Sequence, residues 1–222
     1  MSENHSGHEG NNAIRDELKK NDFRVAIFGS ARIKETDEQY KEVFELARRI
    51  GKKKYDVVTG GGPGMMEAAS AGHAHGDKNH DSDNIGLTIA LPWEADPNKH
   101  LEIKEHFNKF SARLDTFMAL SNAVVITPGG IGTCLELFYT WQLVQVEHIK
   151  PVPIILLGEM WEKLMEWVTQ YPLKNGLISP QDVDHIYIAE NIDEAMEIIE
   201  QAHEKACQKG ECVHNNHDYL DK

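Results

Sequence analysis

Residues 123–136 read AVVITPGGIGTCLE, and the fold follows from this stretch. Residues 123–127 are apolar or β-branched and too few for a helix, so they read as a buried strand. Pro128, Gly129 and Gly130 turn the chain, and residues 132–146 continue at helical spacing. A strand, a glycine turn and a helix in succession leave backbone N–H groups unpaired at the helix start, which is a natural seat for a phosphate. The same turn delivers one carboxylate, Glu136, beside that seat.

Outward from this unit the pattern repeats. Strands are expected over residues 24–29, 55–59, 85–91, 152–157 and 185–188, and helices over 37–50, 65–75, 111–121, 159–170 and 191–206. Residues between Pro97 and Ser111 read as helical or mixed. Short apolar runs alternating with amphipathic helices predict an α/β fold: one domain, 23–206, with a Rossmann-like, doubly wound parallel sheet and helices on both faces. Residues 1–22 read as a flexible leader and 207–222 as a flexible tail, both polar. Three turns follow predicted strands: Gly29-Ser30, residues 60–64 (GGGPG) and residues 129–133. In a parallel sheet they converge on the rim beyond the carboxyl ends of the strands, where ligands sit.

Composition narrows the function. Lys and Arg number 23 against 36 Asp and Glu, a formal net charge of −13, which argues against a nucleic-acid partner. An anionic ligand would be held by backbone donors and a few placed cations. The 3 cysteines do not form a disulfide framework. No apolar run reaches membrane-spanning length and no signal segment stands out, so a cytoplasmic protein with no membrane partner is expected. The 12 histidines invite a metal reading, through His73, His75 and His80 or through His203, Cys207, Cys212, His214 and His217. Neither group has a zinc-site spacing, and solvated loop and tail positions account for them better, so no metal is expected.

The glycine turns fail the better-known fingerprints. G-x-G-x-x-G is missing, because the sixth residue is Met65 counting from Gly60 and Cys134 counting from Gly129. The P-loop pattern is missing as well, so neither nicotinamide chemistry nor Walker-type hydrolysis is favoured. A phosphate monoester fits better. Candidate phosphate and substrate ligands are Ser30, Gly61, Gly62, Gly64, Gly129, Gly130, Gly132 and Thr133, the glycines for close backbone approach and the hydroxyls as added donors.

Residues 128–136 (PGGIGTCLE), 60–69 (GGGPGMMEAA) and 113–117 (RLDTF), with 28–32 (FGSAR), Leu91-Pro92 and 140–145 (TWQLVQ), resemble in order and spacing the LOG family, over roughly residues 23–200. Studied members of that family remove the base from nucleoside 5′-monophosphates. The resemblance implies that Arg113 and Glu136 are catalytic, that no cofactor is needed, and that the chain forms a homodimer. Family members commonly carry Arg-Lys where this chain has Arg113-Leu114. Some carry two adjacent glutamates where it has Leu135-Glu136.

Cleavage of an N-glycosidic bond builds positive charge on the ribose, which a carboxylate can stabilise while it orients or deprotonates water. Glu136 has that chemistry. Thr133-x-x-Glu136 is also the spacing of a capping box, in which both side chains would serve only the helix start. Arg113 would hold the phosphate or ribose, or neutralise the departing base. Glu67, in the first turn after residues 60–64, reads as structural, and Met65 and Met66 as packing residues. Trp141, Leu143 and Val144 load one helix with more apolar surface than one sheet face would hide, which points to a homodimer through that helix. The expected activity is a nucleoside 5′-monophosphate N-glycosidase yielding free base and ribose 5-phosphate, AMP or a modified AMP being the first substrate to test. The alternative is a non-catalytic nucleotide binder or carrier on the same fold. A lysine decarboxylase would need pyridoxal phosphate on a lysine, and no lysine position suggests itself.

Overall fold

In β1 (Arg24–Phe28), Val25 and Ile27 face one side while Ala26 and Phe28 face the other, and all four are buried. Alternating residues packed on both faces characterise a strand covered on each side by helices. The computed structural model describes residues 10–90, 96–208, 216, 219 and 220. Within them, β1, β2 (Asp56–Thr59), β3 (Asn84–Ile89), β4 (Ile103–Phe107), β5 (Ala123–Ile126), β6 (Ile154–Leu157) and β7 (Ile186–Ala189) make one sheet. Its order is β4-β3-β2-β1-β5-β6-β7 and every neighbouring pair is parallel.

Helices α1 (Gly10–Lys19), α4 (Phe110–Leu120), α5 (Ile131–Gln145) and α6 (Met160–Val168) share one core with Ala26, Phe28, Val124 and Ile126. Helices α2 (Glu38–Lys52), α3 (Met65–Gly76) and α7 (Ile192–Gln208) share the other with Val25, Ile27 and Val125. The doubly wound α/β reading therefore holds. Among the described residues no helix is long and apolar enough to cross a membrane. The strand order reverses between β1 and β5, so a crevice opens beyond their carboxyl ends.

Three stretches differ from expectation. Residues 103–107, read as helical or mixed, form the edge strand β4, in register with β3 through Ile85↔Ile103. An edge strand is half-solvated, and Lys104 and His106 on its open side erase the apolar run. Part of the expected leader is a docked helix: Ile14 and Leu18 of α1 are buried. Its Glu17 carbonyl accepts from Arg24, a guanidinium with no exposed surface that also pairs with Asp56 at 3.2 Å. His73 is not a solvated loop residue. It is buried in α3, with Nε2 3.1 Å from both the Tyr55 carbonyl and the Ser82 hydroxyl. Leu91-Pro92, Cys212, His214 and His217 lie outside the described residues.

Candidate active site

The three glycine turns meet, and Ser30 is the knot between them. Its N–H donates to the Pro128 carbonyl at 3.1 Å, tying the turn after β1 to the turn after β5. Its carbonyl accepts the Met65 N–H at 3.0 Å, tying the same turn to the start of α3. Gly64 makes this closeness possible. It sits at φ +70°, and a Cβ there would fall 2.4 Å from the Ser30 carbonyl oxygen.

The two larger turns play different parts. In residues 60–64 the Gly61 N–H is spent on the Thr59 hydroxyl at 3.1 Å. Asn98, buried and absent from every motif of the sequence, holds the same turn by donating to the Gly61 carbonyl at 2.8 Å and the Gly62 carbonyl at 3.3 Å. This turn is braced from within. At the start of α5 the first intrahelical bond is Cys134 N–H to Gly130 O, so the N–H groups of Ile131, Gly132 and Thr133 have no partner inside the helix. A Cβ on Gly130 or Gly132 would meet nothing within 4 Å, whereas one on Gly129 would strike the Thr133 side chain. The start of α5 is thus the open, donor-rich part of the rim, where an anion would be favoured by both the free N–H groups and the helix dipole.

Arg113 and Glu136 come together beside it. Arg113, buried on α4, donates from Nε to the Leu87 carbonyl of β3 at 2.6 Å and lies 5.4 Å from the centre of the Phe117 ring. Its head crosses Gly60, where a Cβ would come within 2.3 Å of Nη2 and 2.7 Å of the Met66 sulfur. Glycine at 60 is what leaves room for the guanidinium there. From there Nη1 approaches Glu136 Oε1 to 3.9 Å, the outer limit of an ion pair and beyond a hydrogen bond.

Glu136 is not a cap. The cap position of α5 is Gly130, with no side-chain cap bond, and among the described residues nothing donates a hydrogen bond to the Glu136 carboxylate. The side chain is 14 % exposed. Burial pushes its pKa up to about 7, and the Arg113 charge pulls the other way. A carboxyl group with no structural bonds, held near neutrality, can accept a proton from water at physiological pH.

Leu114 is buried in the core rather than presented to the rim. Met65 is fully buried, and Glu67 lines a cavity of about 390 Å³ with Tyr40, Phe44 and Lys99, outside the Arg113–Glu136 contact. Among the described residues one group of carboxylates gathers closely, Glu17, Asp22, Asp56 and Asp83. The cations Arg24 and Lys20 are threaded through it, pairing with Asp56 at 3.2 Å and with Asp83 at 2.7 Å.

Residues 65–199 match the family model described as "Possible lysine decarboxylase". The chain belongs to this family, the LOG family of the resemblance. It is 31% identical over 144 residues to the pyrimidine/purine nucleotide 5′-monophosphate nucleosidase of Escherichia coli (strain K12), an overlap covering 60% of this chain and 30% of that relative. It is 24% identical over 197 residues to the cytokinin riboside 5′-monophosphate phosphoribohydrolase of Mycobacterium tuberculosis, covering 79% of this chain and 92% of that one. Of the longer relatives it matches, the chain therefore spans about 30% of the length. The molybdenum cofactor carrier protein of Chlamydomonas reinhardtii has the same fold, with a TM-score of 0.62 at 20% identity over 82% of this chain and 98% of that one. Relatives of this LOG protein thus bear the names of enzymes acting on nucleotide monophosphates, while the fold alone also serves a carrier.

Proposed function

We propose that this LOG protein is a nucleoside 5′-monophosphate N-glycosidase, hydrolysing the bond between base and ribose 5-phosphate. The observation that carries this reading is the meeting of Arg113 and an uncapped Glu136 beside the open start of α5. The names of the two relatives support it.

In the proposed mechanism the 5′-phosphate rests on the free N–H groups at the start of α5, with the Thr133 and Ser30 hydroxyls beside it. The residues around Gly61, Gly62 and Gly64 shape the seat. Glu136, ionised, stabilises positive charge on the ribose and takes a proton from the attacking water, whose oxygen bonds to the anomeric carbon as the C–N bond breaks. The bonding pair leaves with the base, which takes a proton from solvent, and Glu136 returns its own proton to solvent. Arg113 neutralises charge on the phosphate or on the departing base. Proton transfer by a placed carboxylate contributes about 10²–10⁴-fold, and anchorage through the phosphate adds orientation. AMP, or AMP with a modified base, is the proposed substrate, and no cofactor takes part.

The protein is further proposed to be a cytoplasmic homodimer. The face that supports this is not the one the sequence pointed to, because Trp141 and Val144 are buried in the chain's own core. Ile131 (89 % exposed), Leu135 and Phe138 instead line the open side of α5. Incubation of purified protein with a panel of nucleoside 5′-monophosphates, assayed for free base, tests the activity, with the corresponding nucleosides as the phosphate control. Leu114 favours a second reading. With leucine buried where relatives commonly carry lysine, no second cation comes from that position, and nucleotide binding without release of base would establish a binder or carrier.

A further inference from the structure

Arg113 rides on α4 and Glu136 on α5, so their separation depends on how the two helices are fastened to each other. A fastening joins the same two helices. Two residues past Arg113, Asp115 accepts a hydrogen bond from the hydroxyl of Tyr139, which stands one turn past Glu136. The same Asp115 oxygen accepts from the Tyr219 hydroxyl at 2.8 Å, and the two phenol oxygens are 3.0 Å apart. Tyr219 is itself seated: its ring meets His148 edge-on at 5.5 Å, and the nearby Asn216 is buried with its Oδ1 accepting the Lys150 N–H at 2.7 Å. Residues from the far end of the chain thus close a three-membered polar cluster across α4 and α5. Burial, with Asp115 as acceptor, holds both phenols above their ordinary range, so they remain protonated donors.

We propose that Asp115, Tyr139 and Tyr219 are positioning residues, a clamp that fixes the spacing between Arg113 and Glu136. The clamp rests on the reading of those two groups as the reacting pair, since its purpose is their alignment. Hydrogen bonds to a charged acceptor are the stronger kind, and a cluster of them sets one geometry where apolar contact alone would permit sliding. When the clamp opens, Arg113 acts less on Glu136, the carboxyl group holds its proton to higher pH, and turnover falls, while the phosphate seat at the start of α5 is untouched.

The test is a ¹³C-carboxyl NMR titration of Glu136 in the full chain, assigned against Glu136→Gln, with kcat and KM measured alongside. Tyr139→Phe and Asp115→Leu are expected to raise the Glu136 titration midpoint and lower kcat on the order of tenfold with KM unmoved. Tyr219→Phe shifts both in the same direction by less. Asp115→Asn retains an acceptor oxygen without the charge and is expected to fall between wild type and Asp115→Leu in both values. Folded Tyr139→Phe protein with the wild-type midpoint and kcat overturns the clamp, and so does an Asp115→Asn variant that behaves like Asp115→Leu. If the wild type releases no base, or Glu136→Gln keeps full turnover, the catalytic reading fails, and the titration midpoints still decide whether the clamp sets the pair's spacing.

Discussion

Glu136 stands where a helix cap and a catalytic carboxylate would both be at home, and the geometry sets the cap aside. A cap would place its oxygens on the N–H groups at the helix start, whereas this carboxylate lies 3.9 Å from Arg113 with no donor bonded to it among the described residues. Glu136→Gln is therefore expected to fold and to lose about 10²–10⁴ in kcat, measured by release of free base. With a pKa raised to about 7, kcat/KM should decline with unit slope below that pH and level off above it. The stability effect has a definite sign. A carboxyl group whose folded pKa is raised is protonated in the native state while already ionised in the unfolded chain, so stability is fully present below the unfolded value and drains away as pH rises to about 7. Glu136→Gln removes that loss, and denaturant titration at pH 8 should find it more stable than wild type by up to about 3 kcal/mol. Gly60→Ala forces a Cβ to 2.3 Å from Arg113 Nη2. It should lower kcat with only a small change in melting temperature, because the guanidinium moves while the surrounding core stays in place.

At the scale of elements, the site is a meeting of loops held by donors that belong to none of the recognised motifs. Asn98 grips both the Gly61 and the Gly62 carbonyl. The Gly61 bond comes from the backbone N–H and survives in Asn98→Ala, which loses the side-chain bond to Gly62. The variant should loosen residues 60–64 in part and raise KM for nucleotides, with kcat changed less, and steady-state kinetics on the best substrate would show the split. Elements with long apolar runs were legible: 123–126 as a strand and the helix after it, down to the glycine turn between them. Strand β4 was not, because an edge strand buries half of each residue and tolerates Lys104 and His106 on its open side. Helix α1 was not either. Its polar composition hides Ile14 and Leu18, and its anchoring depends on Arg24, a residue whose need for partners is visible only once burial removes water from it.

At the scale of the whole molecule, the buried ion group of Arg24, Glu17 and Asp56 joins α1, β1 and β2. Arg24→Ala leaves the buried Asp56 without its cation, while Glu17 keeps Lys20 at 2.6 Å, and should destabilise by about 3 kcal/mol in a denaturant titration at neutral pH. The exposed Ile131, Leu135 and Phe138 predict self-association. Sedimentation should give a dimer, and Phe138→Glu a monomer; a monomeric wild type would refute the homodimer.

The sequence by itself determined the alternating α/β plan, the parallel sheet and the three turns on one rim, because hydrophobic periodicity and glycine placement are local signals carried in a few consecutive residues. It also marked Arg113 and Glu136, through motifs whose order survives in one dimension. Only the tertiary structure decided that Glu136 leaves its own helix uncapped and faces Arg113, that Gly60 clears the path between them, and that Asp115, Tyr139 and Tyr219 stand together. Each of these depends on side chains distant in sequence being brought within a few ångströms, and on the loss of water that turns such proximity into a shifted pKa.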